Sequence, residues 1–266
     1  MSKPAEYCDM GLNWFTGCVR GLPCWEFCWA RRMAYRLRGR YGYPKDKPFA
    51  PTFHEDVFAK PLPRKSKVIA LNYMGDWAFA ARGDIKRMLQ KVAAHPQHTF
   101  LTLTKRPLAL EGIEFPPNLW FGVSATDKAN LWHALKCLPY IDAKHKWISL
   151  EPILGDVSFV ELYTAFDGLG RPDWVVVGCQ SGPRAKESWG RSSGDNDWDV
   201  TWWTRRVVMD CRNLGISVWV KQLPMYDPDR ERQGKNPYVV TECAADFPDG
   251  LRIQETPWDR SKHNAR

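Results

Sequence analysis

The sequence lacks a long apolar run. No stretch of its 266 residues approaches the roughly 18 apolar residues that a membrane-spanning helix needs. The N-terminal residues MSKPAEYC contain no signal-peptide core, and no internal repeat is visible beyond an alternation of strands and helices. From these absences we expect neither a membrane span nor a secretory signal, and we predict a cytoplasmic protein.

Acidic residues are also in deficit. The chain has 30 Asp and Glu against 38 Lys and Arg, a formal net charge of +8, which favours a polyanionic partner such as nucleic acid or a phosphorylated small molecule. Arg31, Arg32, Arg36, Arg38 and Arg40 crowd one segment, and 14 tryptophans offer surfaces on which bases can stack. The alternatives are a solvated helix face and tryptophans that fill the core.

Three cysteines lie close together in one segment that contains no fourth metal-binding residue of the Cys or His type. The segment 17–32, GCVRGLPCWEFCWARR, contains Cys18, Cys24 and Cys28, which can converge on one iron–sulfur cluster or one zinc ion. A structural zinc site usually takes four protein ligands, whereas three leave one position open. No other Cys or His lies nearby in sequence, although His54 could complete a zinc site. In a reducing compartment such a cluster indicates metal or redox chemistry rather than disulfides.

The rest of the chain alternates between strand and helix patterns. Strands are predicted for a first short segment and six apolar ones: Leu12–Phe15, Lys67–Asn72, Thr99–Thr104, Leu119–Val123, Trp147–Leu150, Trp174–Val177 and Ile216–Val220. Helices are predicted at Trp25–Leu37, Asp84–Ala94, Asp127–Cys137 and Trp202–Asn213. This order predicts an α/β fold, a parallel sheet covered by outer helices as a partial or full (βα) barrel.

Polar residues follow the predicted strands, at the edge where sites of such folds lie. They are Asp76 (within Met74-Gly75-Asp76), Lys105, Arg106, Ser124, Glu151, Gln180, Lys221 and Gln222. We expect them to converge on one mouth, where Lys105 and Arg106 could hold a phosphate. The alternatives are a solvated loop for this basic pair and a structural ion pair for Glu151.

Two domains are expected. Residues 1–225 form the barrel with the cluster loop 17–32, and residues 226–266 form a C-terminal extension that packs on it and ends in about ten loose residues. The polar segment Glu187–Asp199 predicts a surface loop or lid.

Several segments resemble one known family, in the right order from about residue 10 to 225. They are Asn13-Trp-Phe-Thr-Gly-Cys18, Cys28-Trp-Ala, Phe100-Leu-Thr-Leu-Thr-Lys-Arg-Pro107, Pro117-Asn-Leu-Trp-Phe-Gly-Val-Ser124, Ser149-Leu-Glu-Pro152, Asp173-Trp-Val-Val-Val-Gly178, Ser181-Gly-Pro183 and Val220-Lys-Gln222. The sequence resembles the phage and mobile-element proteins similar to radical S-adenosylmethionine (SAM) enzymes, and it is more distantly similar to the radical SAM superfamily as a whole.

The resemblance implies a radical SAM-type barrel whose first loop holds a [4Fe–4S] cluster on Cys18, Cys24 and Cys28. It implies that SAM chelates the fourth iron and yields a 5′-deoxyadenosyl radical on one-electron reduction by a flavodoxin- or ferredoxin-like partner. The cysteine spacing departs from the superfamily, with five and then three intervening residues instead of three and then two. Gln180 also stands where relatives often have an acid.

Further roles follow from the same resemblance. Phe27 would flank the adenine, and Asn72 with Met74-Gly75-Asp76 would take the place of the motif that meets the SAM amino group. Ser124 and Glu151 would contact the ribose or the amino-acid part. Independently of the resemblance, strand-end positions lead us to expect Lys105, Gln180, Lys221 and Gln222 in catalysis. The charge pattern leads us to expect Arg31, Arg32, Arg36 and Arg106 at nucleic acid or phosphate.

The resulting prediction is a radical SAM enzyme that modifies or repairs a nucleobase in phage DNA or in a nucleotide. Two alternatives stay open. One is a non-catalytic three-cysteine metal protein that binds nucleic acid, and the other is a radical SAM enzyme that acts on a free small metabolite.

Overall fold

The computed structural model describes residues 5–21, 24–182, 185–190, 199–236 and 238–258. They form two compact units. Unit 1 comprises the described residues up to Val123 together with Tyr140–His145, and unit 2 comprises Ser124–Pro139 and the described part of Lys146–Asp259.

Unit 1 is built on four parallel strands, which neighbour each other in the order β1, β4, β5, β6. A separate antiparallel pair joins β2 to β3. The strands are β1 (Met10–Leu12), β2 (Phe15–Thr16), β3 (Thr52–Phe53), β4 (Val68–Leu71), β5 (Thr99–Thr104) and β6 (Leu119–Ala125), whose last two residues belong to unit 2. The helices are α1 (Trp29–Leu37), α2 (Glu55–Phe58) and α3 (Arg82–Ala93).

The core of unit 1 follows from its apolar patterns. All four residues of β4 are buried, as expected for a strand in the middle of a parallel sheet. Helix α3 buries Ile85, Met88, Leu89 and Val92, a spacing of three and four residues that places them on one helix face.

Unit 2 has three parallel strands, in the order β7, β8, β9, and a fourth, β10, antiparallel to β9. The strands are β7 (His145–Leu150, with its first residue in unit 1), β8 (Trp174–Gly178), β9 (Ser217–Tyr226) and β10 (Tyr238–Thr241). The helices are α4 (Lys128–Cys137), α5 (Phe159–Ala165), α6 (Asp199–Leu214) and α7 (Pro228–Arg232).

Residues after β9 lie against this sheet within unit 2. The amide of Val220 donates to the carbonyl of Ile253 over 2.8 Å, and the Trp174 indole donates to the carbonyl of Glu255 over 2.9 Å. The domain boundary at residue 225 stays a prediction, and β9 continues to Tyr226.

The predicted α/β fold, with parallel strands and helices between them, is confirmed. Three of the six apolar strands differ from their predictions by two residues or more. Strand β7 begins at His145, two residues before the predicted Trp147. Strand β6 continues through Ser124 to Ala125, and β9 continues through Lys221 and Gln222. Strand β9 is longer than predicted because β10 pairs with its final residues.

Helix α1 begins at Trp29 and not at Trp25. The reason is Cys28, whose extended backbone ends the loop and whose Sγ accepts a hydrogen bond from the amide of Arg31 over 3.4 Å. The predicted first strand is divided into β1 and β2. Five further elements were not predicted from the sequence: β3, β10, α2, α5 and α7.

No described helix is both long and apolar enough to cross a membrane. The predicted loop at 187–199 begins within a short 3-10 turn, Ala185–Ser188, and ends at the first residue of α6. Its residues 191–198 lie outside the described residues. The predicted loose tail also lies outside them from residue 259 onwards.

Candidate functional site

The backbone around Cys18 is fixed on both sides. The Cys18 amide donates to the carbonyl of Phe49 over 3.0 Å, and the Gly17 amide donates to the carbonyl of Met74 over 3.1 Å. The Asp76 amide donates to the carbonyl of Gly17 over 3.0 Å. The first cysteine is therefore joined to the segment that follows β4.

Two glycines make this close approach possible. Gly17 has φ of +92°, and a Cβ on it would lie 2.1 Å from the carbonyl oxygen of Ala50. A Cβ on Gly75 would lie 2.5 Å from the carbonyl oxygen of Gly17 and 2.8 Å from the carbonyl carbon of Thr16. Because these neighbours are backbone atoms, neither position has room for a side chain.

The Asp76 carboxylate is buried and holds the ends of two strands together. Its Oδ1 accepts hydrogen bonds from the hydroxyl of Thr104 over 2.8 Å and from the amide of Ala78 over 3.1 Å. Its Oδ2 accepts from the amide of Lys105 over 2.8 Å. Since β4 and β5 are parallel neighbours, this carboxylate fixes the loop after β4 on the end of β5.

The three predicted ligands are free thiols of intermediate exposure. Burial, followed by the charge of Asp76, raises the pKa of Cys18 to about 12, and Cys24 and Cys28 add to the effect. Burial also raises the pKa of Cys24, with Lys105 acting in the opposite direction. The thiols thus interact electrostatically with one another and with the ends of β4 and β5.

This donor set suits a soft metal centre. A thiol whose pKa is raised by burial and by nearby negative groups becomes a thiolate when a cation takes the place of its proton. The described residues contain no group of three or more His, Cys, Asp or Glu side chains already gathered for a metal ion, and Leu22 and Pro23, between the first two cysteines, lie outside them. Metal binding by Cys18, Cys24 and Cys28 therefore stays a prediction.

An apolar cluster adjoins the cysteines. Its buried members are Ala30, Ala34, Tyr43, Phe49 and Met74, and Cys18, Trp25, Cys28 and Leu37 pack against them. Met74 thus contributes its side chain to this core. Phe27, the predicted adenine neighbour, is of intermediate exposure.

His54, the alternative zinc ligand, is engaged elsewhere. Its Nε2 lies 2.7 Å from the hydroxyl of Thr16 in a buried hydrogen bond, and its ring centroid lies 5.8 Å from that of Tyr43. Burial lowers the pKa of His54, and the charge of Asp56 opposes this shift. The imidazole therefore supports the strand that leads into Gly17.

Asn72 has a similar supporting position. It is buried with φ of +62°. Its Oδ1 accepts from the amide of Phe15 over 3.0 Å, and its Nδ2 donates to the sulfur of Met88 over 3.2 Å. Its predicted contact with a cofactor stays a prediction, while its bonds in the structure are to β2 and α3.

The predicted nucleic-acid arginines divide into two groups. Arg31 turns towards the cysteine loop, where its Nη1 donates to the carbonyl of Trp25 over 3.1 Å and its guanidinium lies 4.8 Å from that ring. Arg32 is partly exposed, whereas Arg36 and Arg106 are exposed. The second group is therefore available to an anion.

Unit 2 brings a different set together at the ends of its strands. The Lys221 Nζ lies 2.7 Å from Oε1 of Glu151, with side chains 19% and 13% exposed. The Ser149 hydroxyl donates to Oε2 of Glu151 over 3.1 Å. Glu151 and Lys221 thus form a largely buried ion pair. A structural ion pair was the alternative to a role of Glu151 in a binding site.

Gln222 completes this set through the backbone. Its Nε2 donates to the carbonyl of Cys179 over 2.5 Å, and the Cys179 amide donates back to its carbonyl over 3.0 Å. Burial raises the pKa of the Cys179 thiol. Gln180 is of intermediate exposure and accepts, through its carbonyl, from the Trp189 indole over 2.9 Å. Ser124 is of intermediate exposure within β6.

Comparison with known proteins places the chain in a family. Residues 2–243 match the model of a family described as protein of unknown function, DUF5131. The chain belongs to the DUF5131 family. It is similar to the solved structure of a spore photoproduct lyase mutant with a dinucleoside spore photoproduct, with a TM-score of 0.43 and 12% identity over 71% of this chain and 68% of that one.

A second spore photoproduct lyase mutant gives a TM-score of 0.43 and 11% identity, over 82% of this chain and 70% of that one. No curated protein matches the sequence. The functional assignment of this DUF5131 member therefore rests on its own residues.

Three residues that shape these sites in the DUF5131 chain were not predicted from the sequence. They are Gly17, Thr104 and Ser149. A glycine directly before the first cysteine was the available signal for a close backbone approach. The hydroxyls carry no comparable signal, because Ser and Thr are common in strands and loops.

Proposed function

We propose that this chain is a radical SAM enzyme that acts on a nucleobase, in DNA or in a nucleotide. The proposal rests mainly on one observation: backbone hydrogen bonds join the residue before Cys18 to the segment after β4. Gly75 lies too close to the backbone of Gly17 and Thr16 to carry a side chain. Asp76 fixes the same segment to β5. The order of the segments that resemble the radical SAM-like family gives independent support.

In this proposal Cys18, Cys24 and Cys28 hold a [4Fe–4S] cluster, and Met74-Gly75-Asp76 lies beside the bound SAM. When bound, the cluster and SAM supply a 5′-deoxyadenosyl radical that abstracts a substrate hydrogen. Asp76 keeps the segment in place through three hydrogen bonds. The apolar cluster behind Cys18 and Cys28 limits the access of water.

The charged groups have separate roles. Lys105 lies close enough to Cys24 to favour its thiolate, the form that binds a metal. Glu151 and Lys221 are proposed to bind polar groups of SAM or the substrate, since each can exchange its partner for a ligand of matching charge. The net charge of +8 and the exposed Arg36 and Arg106 support an anionic substrate.

The test is anaerobic reconstitution with iron and sulfide. We expect about four iron atoms per chain, the electron paramagnetic resonance signal of a reduced cluster, and release of 5′-deoxyadenosine from SAM after reduction. Single replacement of Cys18, Cys24 or Cys28 by Ala should abolish all three. The exposed Cys243 offers a matched control, since Cys243→Ala removes a thiol outside the loop.

A protein that binds zinc but no iron would contradict the proposal and favour a metal protein that binds nucleic acid without radical chemistry. Iron binding that survives each of the three cysteine replacements would contradict the ligand assignment. Product formation from a free metabolite, with none from DNA or nucleotides, would contradict the proposed substrate class.

A further inference from the structure

The outward side of α1 and the turn after it carry charge of one sign. From Trp29 to Lys45 the sequence contains five arginines, one lysine and no acidic residue. Arg31 has a contact of 4.0 Å with Glu26, while Arg32 and Arg36 have no acidic partner among the residues that the structure describes. A concentration of unneutralised guanidinium groups fits a polyanion.

Exposed aromatic rings lie among these arginines. Trp29, Tyr35 and Tyr41 are 51%, 50% and 77% exposed. On a helix with 3.6 residues per turn, Trp29, Arg32, Tyr35 and Arg36 fall on one side. We call this set, with Tyr41, the α1 surface. Aromatic rings between guanidinium groups form a platform on which bases can stack while phosphates are neutralised.

The opposite side of α1 is already used by the fold. Ala30, Ala34 and Leu37 pack into the apolar cluster with Met74. A helix that inserts into a lipid surface needs its apolar face free, so the arrangement disfavours a membrane. The exposed rings of Trp29 and Tyr41 disfavour double-stranded DNA, because paired and stacked bases present no free ring faces to them.

We propose that the α1 surface binds single-stranded or locally unpaired nucleic acid, an inference that rests on the proposed function because it names the form of the substrate. The predicted metal site and helix α1 meet at Cys28. Cys28, the third predicted ligand, caps the first turn of α1, and Trp29 follows it directly. A base stacked on Trp29 therefore lies beside the cysteine loop, and the phosphates continue along Arg32 and Arg36.

Binding is measured by fluorescence anisotropy with a labelled strand of about 12 nucleotides and with the same sequence as a duplex. We expect the single strand to bind about tenfold more tightly than the duplex. Trp29→Ala and Tyr41→Ala should each weaken single-strand binding about tenfold, with an unchanged salt dependence. Arg36→Gln should reduce the slope of log K against log salt by about 0.7, the value for one phosphate contact on a single strand.

Trp202→Ala is the matched control. Trp202 is 58% exposed on α6, where Arg206 is paired with Asp156 and Glu161, so its loss should leave binding unchanged. Thermal denaturation of each variant verifies that it folds.

Three results would overturn the inference: wild-type affinity of Trp29→Ala and Tyr41→Ala, equal or tighter binding of the duplex, and binding of phosphatidylserine vesicles with no binding of the single strand. The same preparations are assayed for iron and 5′-deoxyadenosine. Iron and product without single-strand binding would refute this inference alone. Single-strand binding that depends on Trp29, without iron, would refute the proposed function and support the α1 surface.

Discussion

Each unit has a carboxylate shortly after a buried parallel strand, and the two are held differently. Asp76, after β4 in unit 1, accepts from two backbone amides and a hydroxyl. Glu151, after β7 in unit 2, is held by the ammonium of Lys221 and the hydroxyl of Ser149. Among the described residues, the first carboxylate is bonded mainly to the backbone and the second to side chains.

The difference separates a structural support from an adaptable site. Backbone amides of a packed loop have fixed directions, so Asp76 defines the position of the cysteine segment. The Lys221 ammonium ends a flexible four-carbon stem and can rotate towards another anion. We therefore expect substitutions around Asp76 to affect stability and metal binding together, and neutral replacement of both Glu151 and Lys221 to affect ligand binding more than the fold.

The largest expected effect tests the structural support directly. Gly75→Ala places a Cβ within 2.8 Å of three backbone atoms of Thr16 and Gly17. We expect a loss of about 3 kcal/mol in the free energy of unfolding, at the upper end for atoms forced into a packed core, together with loss of iron binding. Chemical denaturation and iron analysis after reconstitution provide the measurements.

The control for this substitution is Gly83→Ala in α3, where an added Cβ meets nothing within 4 Å. Alanine is favoured over glycine in a helix by roughly 0.5–1 kcal/mol, so this variant should be at least as stable as the wild type. Equal stability of Gly75→Ala and Gly83→Ala would show that Gly17 and Gly75 do not fix the cysteine loop.

The second prediction concerns the adaptable site. Glu151→Gln and Lys221→Met each leave one charge largely buried without its partner, and we expect each to cost about 2 kcal/mol in the free energy of unfolding. The double variant should recover most of this loss, because neither charge remains. A double-mutant cycle measured by urea denaturation gives the coupling between the two side chains.

Ligand binding by the double variant tests whether Glu151 and Lys221 contact a ligand. If the pair contacts SAM or the substrate, the double variant should fold normally and yet bind that ligand more weakly, as measured by calorimetry. A double variant with the affinity of the wild type would assign Glu151 and Lys221 to a structural ion pair alone.

The sequence predicted most of the sheet because buried parallel strands are continuous apolar runs. Segments such as Thr99–Thr104 and Trp174–Gly178 lie in the structure within one residue of their predicted ends. It did not predict β10, because Tyr238–Thr241 is half-buried and pairs with β9 only after the intervening helix α7. Strand pairing of this kind depends on tertiary contacts and not on local pattern.

Site residues were predictable from the sequence where the chemistry requires a particular residue type. Their hydrogen-bond partners were less predictable, because those depend on the three-dimensional arrangement of the strands. The cysteine spacing indicated a metal site, and the position after β4 indicated Asp76. The partners of that carboxylate, Thr104 and the amide of Lys105, are 28 and 29 residues away in sequence. No local pattern reports such a bond, because it arises from the register of β4 against β5.

The smallest expected effect concerns pH and the strand that leads into the cysteine loop. Burial lowers the pKa of His54 below its ordinary value, so folding favours the neutral imidazole. The unfolded chain takes up a proton near pH 6.5, roughly the value for an unperturbed histidine. A lowered folded-state pKa stabilises the fold above that pH, and the contribution is lost as the pH falls through the folded-state pKa.

Stability should therefore decrease between about pH 7.5 and about pH 5.5, and His54→Gln should flatten this dependence, while the exposed His133→Gln should retain it. Urea midpoints at both pH values provide the measurement. Because His54 bonds to Thr16, two residues before Cys18, iron bound by the wild type should be released more readily at the lower pH than iron bound by His54→Gln. Equal release from both would confine His54 to general stability and leave the glycine contact and Asp76 as the supports of the cysteine loop.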